Sequence, residues 1–193
     1  MPVTSPRTVL LIGVHREELA FGEAVAQGID PGTLAVLRIP AGISGVRPTQ
    51  NGAFYYATHH QELYLQILPL VRGRYDLVLD LHCGVNEPAR CADLFAADPE
   101  LLDCTRAALA EDPESPTPKV RPILLASGTR SGLAPTLPRA HTVIPEVFWR
   151  NPGFRYLGLE CFLLQLGAGE AADWDLARRL IGAAVACARG QPR

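Results

Sequence analysis

Two short stretches carry residues that could do chemistry together: Gly13-Val14-His15-Arg16-Glu17-Glu18 near the start, and Leu79-Asp80-Leu81-His82 further on. Two imidazoles and one carboxylate are the protein ligands of a catalytic zinc site, which leaves a fourth position open for water or substrate. His15, Glu18 and His82 are therefore read as a metal-ligand set, with one zinc ion per chain as the expected cofactor. Taken singly, each has a plainer reading. A histidine at a strand end is often a hydrogen-bonded structural residue, and Glu17 and Glu18 suit the first turn of a helix.

The elements that must position these groups are strands. Thr8 to Val14 and Tyr75 to Leu81 are apolar runs rich in Val, Ile and Leu, the pattern of parallel strands buried on both faces. In open α/β sheets ligands bind beyond the carboxyl ends of the strands, where His15, Glu18 and His82 would emerge. Asp80, two residues before His82 on the same strand, points to the same side and could orient an imidazole or the substrate.

These motifs resemble the Gly-x-His-x-x-Glu and Asp-Leu-His signatures of the zinc carboxypeptidase superfamily, above all its succinylglutamate desuccinylase/aspartoacylase branch. A third segment, Tyr156-Leu157-Gly158-Leu159-Glu160, is similar to the late strand that delivers the general base in that branch, and the three segments keep the family's order. The resemblance implies a three-layer α/β/α fold with a mixed, mostly parallel central sheet. It also implies zinc on His15, Glu18 and His82, with Glu160 as general base. Two departures stand out. Arg16-Glu17 replaces the branch's usual Gly-Asn, and its substrate-holding Asn-Arg pair has no counterpart dipeptide here.

A replacement cation is sought in the loop Ala41 to Gly52. Arg47 is the first candidate, because a guanidinium grips a carboxylate bidentately, with Asn51 beside it and Arg130 as a second choice in the loop Ser127 to Arg139. Glu146 is a rival base that Pro145 keeps off a regular central strand, and is placed nearer the pocket wall. His59 and Glu62 form another His-x-x-Glu, this time on a helix. There one of His59 and His60 is expected to pack beside the tyrosines and the other to be solvated, while His141 is placed at the pocket entrance.

The chain of 193 residues, 48% hydrophobic, suits one domain spanning 1–193 with a real core. A formal charge of −2 without a basic stripe argues against nucleic acid as a partner. With no signal-like leader and no membrane-length apolar stretch, a cytoplasmic protein with a small-molecule substrate is expected. Five cysteines without Cys-x-x-Cys spacing predict neither a disulfide framework nor a zinc knuckle. Cys83 and Cys161 follow His82 and Glu160, and alternation turns Cys161 away from whatever Glu160 faces.

Helices are predicted over Glu17 to Ile29, Phe54 to Val71, Leu101 to Ala110 and Ala172 to Arg189. Further strands are predicted at Leu34 to Ile39, Ala92 to Ala96, Val120 to Leu125, Thr142 to Ile144 and Arg155 to Leu159, and a proline-rich surface loop at Glu111 to Pro118. The resulting expectation is a zinc-dependent hydrolase that cleaves the amide bond of a small N-acyl amino acid. The alternatives are a zinc carboxypeptidase acting on short peptides, or a metal-binding relative with little catalysis. A metal-free α/β domain is the third reading.

Overall fold

A computed structural model describes residues 6–46, 53–110, 118–126, 139–140 and 142–190. Among them seven strands form one sheet in the order β2-β1-β3-β7-β4-β5-β6. The strands are β1 (Thr8–Ile12), β2 (Ala35–Arg38), β3 (Leu77–Gly84), β4 (Cys91–Ala96), β5 (Lys119–Leu125), β6 (Arg139–Ala140) and β7 (Arg155–Phe162). Every pairing is parallel except β4 with β7, so the sheet is mixed and mostly parallel, as expected. The helices are α1 (Leu19–Gln27), α2 (Ala53–Val71), α3 (Pro99–Ala110), α4 (Glu146–Trp149) and α5 (Ala171–Gly190).

Strand alternation sorts the core into two layers. Leu10, Ile12, Leu77, Leu79, Leu81, Leu157 and Leu159 pack with Phe21, Leu101, Leu102, Leu180 and Ile181 of α1, α3 and α5. Val9, Leu11, Val78 and Tyr156 face the other way, onto Tyr64, Ile67 and Val71 of α2 and Phe148 and Trp149 of α4. Covered on both sides, the central strands are apolar nearly throughout, which is why they read as continuous hydrophobic runs. The polar exceptions on the α2 side, Asp80 and His82, lie in β3, whose residues are buried up to Cys83.

Three sequence expectations need correction. Thr142 to Ile144 is a bend and not a strand. The Thr142 hydroxyl accepts a hydrogen bond from the Ile144 N–H at 3.2 Å, taking the donor a ladder would need, and the strand there is β6 at Arg139–Ala140. β3 and β7 also outrun their predicted ends, because Cys83↔Cys161 and Gly84↔Phe162 continue their ladder, so His82 and Glu160 sit inside strands rather than past them.

The third correction is a disulfide. Cys104 of α3 is bonded to Cys187 of α5, with Cα atoms 6.0 Å apart. These two helices pack side by side on one face of the sheet. Spacing in sequence carried no sign of a pair 83 residues apart that only this packing brings together. Cys83, Cys91 and Cys161 remain free and buried.

Candidate metal centre

His15 follows β1 after a tight turn that depends on Gly13. With φ at +79°, Gly13 holds a conformation L side chains rarely adopt, and a Cβ there would lie 2.7 Å from Leu19 Cδ1 and 2.8 Å from the Ile39 carbonyl oxygen. Gly13→Ala is expected to cost about 1–3 kcal/mol of stability, read from urea unfolding. An unchanged midpoint would show that the turn relaxes at no cost.

Beyond the turn, the predicted helix opens as a single 3-10 turn, Arg16–Glu18, capped by His15 in extended conformation. The Glu18 N–H donates to the His15 carbonyl at 3.0 Å, and this one bond brings both side chains to the same side. Glu17 turns outward. Its carboxylate accepts from the Ser44 hydroxyl at 2.8 Å and the Gly45 N–H at 3.0 Å, fastening the segment that pairs Ile43 with His15. Although its burial works the other way, these bonds and neighbouring Arg16 lower its pKa to about 2. The Arg16-Glu17 departure is thus a loop fastening beside the first histidine.

At the centre, Glu18 Oε1 lies 2.7 Å from His15 Nδ1 and Glu18 Oε2 lies 2.9 Å from His82 Nδ1. One ligand atom from each of the three residues lies within 4.8 Å of the others. Both rings turn the same nitrogen, Nδ1, toward one carboxylate, and both have their Nε2 engaged elsewhere. His82 Nε2 is 3.1 Å from Asp80 Oδ1, and His15 Nε2 is 2.9 Å from His60 Nε2.

Asp80 is fully buried and accepts at Oδ2 from the hydroxyls of Tyr64 at 2.6 Å and Tyr156 at 2.9 Å. Burial opposes its charge, but His82 and these hydroxyls outweigh that and hold its pKa below the ordinary value. His82 is pushed the other way. Burial disfavours its cation, yet Asp80 and Glu18 on its two sides raise its pKa well above the usual histidine value.

The two carboxylates thus flank the His82 ring, Glu18 at Nδ1 and Asp80 at Nε2, and favour positive charge on it. Asp80 stands behind the imidazole at ion-pair distance, the position from which a carboxylate steadies a metal-binding ring. Two converging Nδ1 atoms and a carboxylate form a donor set that zinc accepts.

Glu160 lies beside this cluster, in register with His82 on one side and Asp93 on the other. The row continues to Arg121 on β5, whose guanidinium grips Asp93 through two nitrogens and Glu87 at 2.7 Å. Gly84 leaves Glu160 room, since a Cβ there would sit 3.0 Å from Oε1. Burial, with the nearby Glu18 and Asp93 carboxylates, pushes the Glu160 carboxyl up to about 7, against the pull of the two histidines.

This shift sets a sign. Relative to an ordinary carboxyl at 4.5, the folded state of the metal-free protein holds the extra proton, so Glu160 makes stability fall as pH rises from 4.5 to about 7. Metal-free Glu160→Gln is expected to lack that part of the slope in a stability series across this range, and a slope identical to wild type would count against the shifted carboxyl.

The remaining candidates divide. Glu146 is exposed on α4, paired with Arg150 at 2.6 Å, and is not one of the converging ligand residues. His59 is exposed and His60 is 2% exposed, its ring centroid 4.0 Å from that of Tyr56, which is the division expected for the pair. Cys83 and Cys161 are buried in the opposite layer. Burial raises both thiols far above their ordinary pKa, so neither is a thiolate nucleophile. Arg47, Asn51, Arg130 and His141 lie outside the described residues.

Sequence reading missed the hold of His60 on His15 and of Tyr64 and Tyr156 on Asp80. The signal was present: His60 and Tyr64 are four apart on a helix, hence on one face, and Tyr156 shares a strand face with Glu160.

No protein-family model and no curated protein sequence matches the chain. Among solved structures, a mutant of murine aminoacylase 3 aligns at a TM-score of 0.54 with 15% identity, over 96% of this chain and 64% of that one. A succinylglutamate desuccinylase/aspartoacylase from Rhodobacter sphaeroides gives 0.47 with 18% identity, covering 94% and 55%. The amidase AmiC2 of Nostoc punctiforme gives 0.46 with 11% identity, covering 97% of both chains. Only the first of the three exceeds 0.5, and at its level of identity it speaks to the fold alone. The fold is that of aminoacylase 3, a zinc carboxypeptidase-like α/β architecture, and the chain spans a little under two thirds of the length of that enzyme.

Proposed function

We propose that this chain is a zinc-dependent hydrolase that cleaves the amide bond of a small N-acyl amino acid, with His15, Glu18 and His82 as metal ligands and Glu160 as general base. One observation carries the reading: both ligand imidazoles turn Nδ1 to a shared carboxylate while their Nε2 atoms are engaged from behind. When bound, zinc supplies Lewis acidity, drawing the pKa of a ligated water towards ~7 and polarising a carbonyl.

The chain's own residues do the rest. Glu160, in register beside His82, accepts a proton from the attacking water and returns it to the leaving nitrogen. Asp80 and its two tyrosines hold the His82 ring in place. The substrate carboxylate falls to Arg47, Asn51 or Arg130. No helix among the described residues is long and apolar enough to cross a membrane, and the charge of −2 speaks against nucleic acid. The disulfide between α3 and α5 favours an oxidising compartment over cytoplasmic residence.

The test is amine release from a panel of N-acyl amino acids, with short peptides alongside, by protein carrying a measured zinc content. Turnover confined to N-acyl amino acids supports the reading, turnover confined to peptides favours a carboxypeptidase, and turnover of neither by a zinc-loaded chain leaves a metal-binding protein.

A further inference from the structure

The residue behind His15 is itself a histidine, supplied by a helix. His60 is buried on α2, and its Nδ1 lies 2.6 Å from the Tyr56 carbonyl oxygen one turn earlier. A carbonyl only accepts, so His60 Nδ1 carries a proton and donates it. In the neutral ring this leaves a lone pair on Nε2, the atom facing His15 Nε2 at 2.9 Å. Two ring nitrogens at that distance share one proton, and with a lone pair on the His60 side the proton belongs to His15 Nε2. The remaining nitrogen of His15, Nδ1, lies 2.7 Å from Glu18 Oε1 and donates to it in the metal-free protein; a bound ion would take the place of that Nδ1 proton, while the Nε2 proton stays shared with His60.

We infer that His60 is a positioning residue for the metal centre: through a chain from the Tyr56 carbonyl to its own ring to His15, it fixes which nitrogen of His15 is free to bind the ion. Helix α2 does this twice. Tyr64, one turn after His60, donates to Asp80, which engages His82, so a single helix face sets both imidazoles. The role rests on the zinc reading proposed above. It assigns to His60 a part that its place among the tyrosines does not suggest.

The test separates hydrogen-bond acceptance from volume. His60→Gln keeps an acceptor oxygen for the His15 Nε2–H, whereas His60→Leu fills the space without one, and His59→Ala is the exposed control on the same helix. Zinc affinity is read by competition with a chromophoric chelator, on proteins shown to be folded by circular dichroism. His60→Leu is expected to bind zinc about 10–100-fold more weakly than wild type, and His60→Gln and His59→Ala to stay within about threefold. In zinc-loaded wild type, long-range ¹H–¹⁵N spectra should place the His15 proton on Nε2, hydrogen-bonded.

Equal affinity for the Leu and Gln variants, whether both tight or both weak, overturns the positioning role and leaves the metal reading standing. A His15 proton on Nδ1 in the loaded protein overturns it as well. A wild-type chain that takes up no zinc overturns both readings.

Discussion

Replacing Glu160 with glutamine will lower turnover about 10²–10⁴-fold while zinc affinity stays within about threefold of wild type. The substitution keeps the shape of the side chain and removes its ability to take a proton. Glu160 belongs to none of the contacts that converge on Glu18, and it sits one strand over from His82. The ligand cluster should therefore survive the change, and loss should fall on kcat more than on KM. Activity within threefold of wild type would remove Glu160 from the chemistry. Glu146, exposed on α4 and paired with Arg150, is not among the residues that converge on Glu18.

The second large effect concerns the ion itself. Metal analysis of purified protein is expected to give about one zinc per chain in wild type and none in either His15→Ala or His82→Ala. The two variants should differ in stability. His15 meets one carboxylate, Glu18, whereas His82 lies between Glu18 and the fully buried Asp80. Removing His82 leaves two carboxylates facing an emptied space, so His82→Ala should also cost on the order of 3 kcal/mol even without metal, and His15→Ala much less. Wild type that holds no zinc after incubation with the ion would leave a metal-free α/β domain with a buried carboxylate–histidine network.

The parts of this architecture written in local pattern were legible in the sequence. Apolar runs gave the central strands, and the order of His15, Glu18, His82 and Glu160 along the chain pointed to side chains the fold brings to one end of β3 and β7. Asp80 lies on the same strand face as His82, as alternation along a strand requires.

What escaped depends on contacts between distant elements. The sequence expects one of His59 and His60 beside the tyrosines without choosing between them; His60 is the one that packs there, and its meeting with His15 depends on where α2 crosses the sheet, which helical spacing alone does not give. The Cys104–Cys187 bond failed for the same reason, since it depends on α3 and α5 lying side by side. Thr142 to Ile144 has strand-like composition, and a hydroxyl competing for one backbone N–H was enough to bend it.

The position of β7 has a consequence for how the molecule comes together. It is the last strand in the chain, yet it lies in the middle of the sheet, between β3 and β4. Until it inserts, β1 to β3 and β4 to β6 share no ladder, and each presents an open edge to other chains. Joining them requires pairings such as His82 with Glu160 that close long stretches of polypeptide, which places this step late and makes it slow. Aggregation during refolding should therefore concentrate before β7 docks. Glu160 rides on that strand, so the residue that would activate water arrives in the same event that completes the sheet.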